Sequence, residues 1–181
     1  MPTKPHVRTR PRRPARGELR RRARLVKLVL TDSDGVLTDT GVYYGESGEI
    51  MKRFSIRDGM GVELLRMAGI ETAIITGELS ESVRQRAKKL KMPFLYLGVS
   101  DKHSHLPTIL AETGCKASEV AFIGDDVNDL GLLRELAGSS LTGAPGDATT
   151  AVQRIVHYRT RARAGYGAFR EFAEWILSLR R

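Results

Sequence analysis

Seven polar side chains in this sequence stand at or just after the ends of apolar runs of strand length, and together they could act on a phosphate. They are Asp32, Asp34, Thr76, Lys102, Asp125, Asp126 and Asp129. Clustered carboxylates repel one another unless a hard divalent cation such as Mg²⁺ binds among their oxygens. A lysine and a threonine hydroxyl beside that cation suit the oxygens of a phosphoryl group. The set therefore predicts magnesium-assisted chemistry on a phosphate.

The same residues have other interpretations when they are taken singly. The Asp32 and Asp34 pair also resembles a nucleotide-sugar metal motif or the start of an EF-hand calcium loop. The calcium loop is excluded, because Leu37 and Tyr43 stand where it requires glycine and glutamate. Taken singly, Thr76 is typical of a strand-to-helix turn and Lys102 of a solvated lysine. Asp126 and Asp129 are typical of helix caps. The ordered combination is much harder to obtain by chance than any one member.

The elements that must position these residues alternate between strands and helices. Strands are predicted at 25–31, 71–76, 94–98, 119–124, 139–142 and 155–158, and a β-hairpin is predicted at 42–44 and 50–54. Helices are predicted at 57–69, with Asp58 as the N-cap, at 80–90, after Lys102, after Asp126, before Ile155 and at 167–179. Repeated strand–helix units with short links predict an α/β fold with a parallel sheet. The carboxyl ends of such strands share one edge, where ligands bind.

The net charge of +9 is unevenly distributed. Residues 1–27 hold eleven basic residues and one acidic residue, whereas the rest of the chain has nineteen basic and twenty acidic residues. The segment 1–24 is rich in Arg and Pro and poor in apolar residues, so we expect a disordered tail with at most a short helix around 18–24. A solvated tail is favoured over a nucleic-acid arm, and the folded domain is expected to span 25–181.

Length and composition favour one globular domain in the cytoplasm. The chain has 181 residues and 41% apolar content, which is enough for a single core. No apolar segment approaches the ~20 residues of a membrane span, and an apolar signal-peptide core is absent from the sequence. Cys115 is the only cysteine, which excludes an intramolecular disulfide. We therefore expect no membrane partner.

The ordered motifs DSDGVLTD, IITG, Lys102 and GDDVND resemble the four motifs of the haloacid dehalogenase superfamily of phosphohydrolases. The resemblance runs from about residue 25 to the C-terminus and implies a Rossmann-like fold and a Mg²⁺ cofactor. It implies that Asp32 is the nucleophile and that Asp34 is the acid and base. Asp32, the main-chain carbonyl of Asp34 and Asp125 would hold Mg²⁺, and Thr76 and Lys102 would bind phosphoryl oxygens. Asp126 and Asp129 would orient Lys102 or metal-bound water, and direct contact of either one with the metal is an open alternative.

The space between the motifs indicates which members of the superfamily are most similar. Only the hairpin and one helix fit between Thr38 and Thr76, so no cap domain is expected. The segments 54–59 and 165–171 resemble the capless, tetrameric phosphatases of 3-deoxy-ulosonic sugar acids. These include 3-deoxy-D-manno-octulosonate 8-phosphate phosphatase, the 2-keto-3-deoxynononate 9-phosphate enzyme and a domain of some acylneuraminate cytidylyltransferases. Capless members of the superfamily either accept macromolecular substrates or borrow a wall of the site from a neighbouring subunit. The resemblance therefore implies a homotetramer that acts on a small sugar phosphate.

The resemblance also implies a set of substrate-binding residues. They are Asp34, Ser55, Ile56, Arg57, Asp58, Gly59, Thr76, Gly77, Glu78, Arg86, Lys89 and Lys102. Arg57 and Arg86 agree with the eight-carbon enzyme, whereas Glu78 and Lys89 are more similar to the nine-carbon enzyme. An acid at the rim favours sugar hydroxyls, so a nine-carbon or related substrate is expected. Glu63 and Glu78 replace arginines that are usual in the eight-carbon enzyme. The rival hypothesis is a non-catalytic module whose basic tail contacts nucleic acid or a partner.

Overall fold

The central sheet contains six parallel strands in a computed structural model that describes residues 14–181. The strands within that range are β1 Leu28–Thr31, β2 Thr38–Gly45, β3 Gly48–Phe54, β4 Glu71–Ile75, β5 Phe94–Tyr96, β6 Val120–Ile123, β7 Thr142–Ala144 and β8 Tyr158–Arg159. The sheet order is β5-β4-β1-β6-β7-β8, and β2 pairs with β3 in a separate antiparallel hairpin. This arrangement confirms the predicted α/β class, with the strands predicted at 139–142 and 155–158 displaced by a few residues towards the C-terminus.

Helices connect the strands and cover both faces of the sheet. They are α1 Arg16–Leu25, α2 Ile56–Met67, α3 Glu81–Lys89, α4 Leu106–Thr113, α5 Leu130–Ala137, α6 Thr150–Gln153 and α7 Ala168–Arg180, with 3₁₀ turns at Ala117–Glu119 and Val127–Asp129. Side chains alternate across β1, so Val29 packs with α1, α2 and α7, whereas Leu28 and Leu30 pack with α4 and α5. A strand covered on both faces is apolar throughout, which explains the run that precedes Asp32.

Asp58 does not cap the helix that its position in the sequence predicts. Ser55 is the N-cap of α2, and its hydroxyl accepts a hydrogen bond from the amide of Arg57. The buried Asp58 carboxylate instead accepts hydrogen bonds from the amides of Gly167 (3.1 Å) and Arg170 (3.0 Å) at the start of α7. A carboxylate is favoured there because unpaired amides and the helix dipole both attract negative charge.

The N-terminal helix α1 belongs to the packed structure. It lies against α7, and the buried Arg22 side chain donates hydrogen bonds to the carbonyls of Ala137 (2.8 Å) and Ser140 (3.0 Å). Glu18 pairs with Arg21 and Arg22, which offsets part of the basic charge. The folded unit therefore includes α1 and extends beyond the predicted start at residue 25, because Arg22 satisfies buried carbonyls. Residues 1–13 of the predicted tail lie outside the described residues.

The hairpin of β2 and β3 covers one end of the sheet next to the carboxyl edge. Between β1 and β4 the chain contains only this hairpin and α2, which agrees with the predicted absence of a cap domain from residues 14–181. The hairpin exposes four large apolar side chains, Tyr43, Tyr44, Ile50 and Met51. In the described part of the chain, no helix combines the length and apolar character required to cross a membrane.

Candidate active site

A cavity of about 220 Å³ opens at the carboxyl ends of the central strands. It is lined by Asp32, Asp34, Thr40, Thr76, Gly77, Glu78, Asp125, Asp126 and Asn128. Asp32 follows β1, Thr76 follows β4, and the acidic loop at Asp125 follows β6. Because β1 lies between β4 and β6, these three strand ends are neighbours. The sheet order therefore brings together residues that are more than ninety positions apart in the chain.

Lys102 lies beneath the cavity and joins two of the predicted carboxylates. Its Nζ is 2.7 Å from an Oδ2 of Asp32 and 2.7 Å from an Oδ1 of Asp129, and its side chain is fully buried. Burial alone would lower the pKa of Lys102, but the charges of Asp32 and Asp129 outweigh it and raise that pKa. The ammonium is therefore a fixed positive charge beside the Asp32 carboxylate.

Asp129 fixes the acidic loop from below. Its Oδ2 accepts hydrogen bonds from the amides of Asp125 (2.8 Å) and Asp126 (3.3 Å), while its Oδ1 contacts Lys102. Asp126 accepts a hydrogen bond from the Val127 amide and borders the cavity. Asp129 is thus in a position to orient Lys102, as its predicted role requires, whereas Asp126 faces the open side.

Gly35 allows the acidic loop to approach the turn after β1. Its φ of +86° lies in the left-handed region, and a Cβ at this position would be 2.0 Å from an oxygen of Asp125. That distance is far inside van der Waals contact, so only glycine permits the approach. The sequence motif DSDG is therefore explained by the distance between two loops as well as by its carboxylates.

The carboxylates can form a site for a divalent cation. One oxygen each from Asp32, Asp125 and Asp129 lie within 4.8 Å of one another. Burial and the neighbouring charges of Asp32 and Asp129 raise the pKa of Asp125 to about 8, and burial with the charge of Asp129 raises the pKa of Asp32. A single lysine does not neutralise three clustered carboxylates, and oxygen donors of this kind suit Mg²⁺. The residues present therefore fit the predicted cofactor.

Asp34 is held by two side chains at the mouth of the cavity. Its Oδ1 accepts a hydrogen bond from the Thr38 hydroxyl (3.1 Å), and its Oδ2 lies 2.7 Å from Nζ of Lys52. Lys52 was not predicted from the sequence, because it is the one buried residue of β3 and no alternation along that strand marks it. Thr40 and Asn128 also line the cavity and were missed, because neither belongs to a charged motif.

Several predicted substrate-binding residues lie outside this cavity. Ser55, Ile56 and Arg57 stand at the start of α2, where Ile56 is 86% exposed and Arg57 is exposed. Lys89 is exposed on α3, and Lys102 is buried beneath the floor of the cavity. Of the predicted substrate-binding set, Asp34, Thr76, Gly77 and Glu78 line the cavity.

Arg86 and Gly59 meet each other away from the cavity. The Arg86 guanidinium donates a hydrogen bond to the carbonyl of Ser55 (2.7 Å), and it lies over the ring of Phe54. Gly59 is buried against it, since a Cβ at Gly59 would be 2.7 Å from a nitrogen of Arg86. In this chain, Arg86 therefore fastens the hairpin to α2 and does not point into the carboxylate site.

Thr40 carries backbone strain at the edge of the cavity. Its φ of +67° is unfavourable for a β-branched residue, whereas glycine adopts it freely.

Thr40→Gly should raise the free energy of unfolding by up to about 1 kcal/mol, because relief of strain exceeds the entropic cost of glycine. Urea unfolding measures the change. Thr40→Ala is the control, since alanine retains the strain; an equal gain in that variant would contradict this explanation.

A parallel sheet of this order, with a buried lysine and carboxylates at its central strand ends, matches solved hydrolases of the haloacid dehalogenase superfamily, including one from Legionella pneumophila with a TM-score of 0.84 and 35% identity over 91% of this chain and 88% of that one. No protein-family model matches the chain. The 3-deoxy-D-manno-octulosonate 8-phosphate phosphatase of Yersinia pestis is 37% identical over 164 residues, which cover 91% of this chain and 86% of that protein. The chain belongs to this family of phosphatases.

Solved structures agree with that assignment. The cobalt-bound enzyme of Haemophilus influenzae matches with a TM-score of 0.82 and 34% identity, covering 88% of this chain and 91% of that one. The Moraxella catarrhalis enzyme, crystallised with magnesium, phosphate and its sugar acid KDO, matches with a TM-score of 0.83 and 34% identity. That match covers 90% of this chain and 92% of the other. The predicted resemblance and fold are thereby confirmed.

Proposed function

We propose that this protein is a Mg²⁺-dependent phosphomonoesterase that hydrolyses the phosphate ester of a small acidic sugar, a 3-deoxy-ulosonic acid of eight or nine carbons. The observation that carries the proposal is the contact of Lys102 with Asp32 at the base of a cavity that also contains Asp34, Thr76 and Asp125. This arrangement supplies a nucleophile, an acid and base, and positive charge for a phosphoryl group. The phosphatase names of the relatives support the same reaction.

The reaction divides into two displacements on phosphorus. An oxygen of Asp32 forms a bond to phosphorus while the bond from phosphorus to the sugar oxygen breaks, and Asp34 gives that oxygen its proton. Water then attacks the aspartyl phosphate, the bond from phosphorus to Asp32 breaks, and Asp34 takes the proton of the water. Thr76 would hold a phosphoryl oxygen from the wall of the cavity, and Lys102 would add its positive charge from beneath the floor. Phosphoryl transfer requires mainly such positioning and neutralisation of charge.

Mg²⁺ supplies the further positive charge that the carboxylates and the phosphate require. Asp32, the main-chain carbonyl of Asp34 and Asp125 would hold it, with Asp129 orienting Lys102 and Asp126 directing a bound water. The proximity of Asp32, Asp125 and Asp129 supports this assignment, as does the magnesium found in the Moraxella catarrhalis enzyme. Few carboxylates and several remaining water positions are typical of Mg²⁺ sites.

Substrate selection is assigned to residues at the rim. Glu78 borders the cavity and would favour sugar hydroxyls over a second carboxylate. The exposed Ile56 and Arg57, with Ser55 and Lys89, would meet the substrate as part of a wall shared between subunits. Names of the relatives favour the eight-carbon acid, whereas Glu78 is more similar to the nine-carbon enzyme. Specificity constants for both acids would decide between them.

A homotetramer in the cytoplasm completes the proposal. The exposed apolar residues of the hairpin and Ile56, which is 86% exposed, offer a surface for a second subunit. A cytoplasmic location fits a single cysteine, which requires no oxidising compartment. Sedimentation equilibrium should give a mass above that of the 20.1 kDa chain, and a strict monomer would contradict the shared wall.

The proposal is tested by hydrolysis of p-nitrophenyl phosphate and a panel of ulosonic acid phosphates, each with and without Mg²⁺. We expect the highest kcat/KM for an eight- or nine-carbon ulosonic acid phosphate. Removal of the metal by a chelator should lower the rate at least about 100-fold, and added Mg²⁺ should restore it. A protein without phosphatase activity on any member of the panel would instead support the non-catalytic alternative.

A further inference from the structure

We propose that Lys52 is a positioning residue that holds the side chain of Asp34 in the orientation in which its protonated carboxyl group can protonate the leaving oxygen. The inference deepens the proposed function and depends on it, because it assigns to Lys52 a role in directing the acid of the first displacement, which is the step that the test measures. The hairpin that carries Lys52 would then be part of the catalytic apparatus as well as a cover for the sheet.

The contacts around Asp34 carry the proposal. Both of its carboxylate oxygens have partners, Thr38 at 3.1 Å and Lys52 at 2.7 Å. The Lys52 side chain is 1% exposed, whereas that of Asp34 is 23% exposed. A buried ammonium in contact with a partly open carboxylate restricts that carboxylate without closing its access to a substrate. Asp34 is therefore fixed in direction while it still borders the cavity.

A second set of contacts fixes Lys52 itself. Its Nζ lies 3.4 Å from an oxygen of Glu49, and the other Glu49 oxygen accepts a hydrogen bond from the Ser80 hydroxyl at 2.5 Å. Ser80 is the buried N-cap of α3, so the chain of contacts ends on an element of the main fold. Lys52 thus lies between two carboxylates, as Lys102 lies between Asp32 and Asp129. The two buried lysines serve the two predicted catalytic carboxylates separately.

The contact between Lys52 and Asp34 should affect the rate of hydrolysis most strongly when the leaving group needs a proton. The sugar alkoxide is a poor leaving group and requires protonation as it departs, whereas p-nitrophenolate departs readily without it. A residue that only stabilises the fold would affect both substrates to the same extent. A residue that directs Asp34 towards the leaving oxygen would affect the sugar phosphate selectively.

The test compares kcat/KM of Lys52→Met for a ulosonic acid phosphate and for p-nitrophenyl phosphate at saturating Mg²⁺. This quantity includes steps only through departure of the leaving group. We expect a loss of about 100-fold for the sugar phosphate and of less than about 3-fold for p-nitrophenyl phosphate. Lys52→Arg, which keeps the charge, should recover part of the loss. Lys88→Met on the exposed face of α3 is the matched control and should leave both values unchanged.

A further comparison isolates the contact with Asp34. In an Asp34→Asn background, Lys52→Met should add little further loss on the sugar phosphate, because the group that it positions is already absent. If Lys52→Met does not fold, Thr38→Val removes the other contact of the same carboxylate and should produce a smaller loss with the same selectivity.

Equal losses on the two substrates would overturn the role assigned to Lys52, and so would an additive loss in the Asp34→Asn background. Failure of the proposed function would be recognised separately, because the unmodified protein would then hydrolyse neither substrate in a Mg²⁺-dependent manner.

Discussion

Asp32→Asn should lower kcat for phosphate monoesters by at least about 10⁴-fold while the protein remains folded. The amide has the shape of the carboxylate but lacks the charge that attacks phosphorus. Its oxygen can still accept a hydrogen bond from the buried Lys102, which lies 2.7 Å from Asp32 in the native protein. Burial also raises the pKa of Asp32, so replacing the charged group with a neutral one removes an unfavourable desolvation and should not unfold the chain.

Steady-state hydrolysis and acid-quench trapping of the phosphoenzyme would measure the effect of Asp32→Asn. The native protein should accumulate acid-stable, hydroxylamine-sensitive phosphate on the chain, and the variant should accumulate none. Asp147→Asn is a matched control, because Asp147 pairs with Arg163 and the Ala164 amide away from the cavity. A variant at Asp32 as active as the native protein would refute the covalent mechanism.

Lys102→Met should both abolish turnover and destabilise the fold. The methionine fills a similar volume but leaves Asp32 and Asp129, two buried carboxylates, without their common partner. Removing one member of a buried charged pair typically costs about 3–5 kcal/mol of unfolding free energy. Urea unfolding without Mg²⁺ would measure the loss, and Lys88→Met provides the exposed control. A change below about 1 kcal/mol would contradict the arrangement described.

The destabilisation by Lys102→Met should depend on pH with a definite sign. Burial and the charge of Asp129 already raise the pKa of Asp32 above its ordinary value, and loss of the ammonium removes the opposing effect of Lys102. The folded state then takes up protons at a higher pH than the unfolded state does. The unfolding free energy of the variant should therefore rise as pH falls from neutrality towards the ordinary range of a carboxyl group.

The sequence predicted the parallel sheet and the convergence of its strand ends because both follow from local patterns. Apolar runs of strand length separated by amphipathic helices leave few topologies, and in these Asp32, Thr76 and Asp125 must share an edge. Gly35 after Asp34 is also a local signal, since it marks a turn. The residues at the base of the cavity could be predicted for the same reason.

Other features depend on contacts between distant segments and have no local signal. Asp58 caps a helix that begins more than one hundred positions later, so its position in the first turn of α2 was misleading. Arg22 is buried because two carbonyls near α5 require a donor, although its neighbours are typical of a disordered tail. Lys52 is buried only after the hairpin folds over the turn at Asp34. In each case a polar group finds its hydrogen-bond partner in a distant segment of the chain, whereas the local sequence predicts that the group is exposed to solvent.

The hairpin is a two-stranded ribbon that pairs with no strand of the central sheet, and it carries the lysine that contacts Asp34. Isolated ribbons of this size have little stability of their own. A contact that stabilises the ribbon from outside will therefore also stabilise the position of the Asp34 carboxylate. In an assembly packed on Tyr43 and Tyr44, the turnover of each subunit would depend on contacts that a neighbouring subunit makes with its hairpin. Dilution of the protein would then reduce its turnover per chain before any chain unfolds.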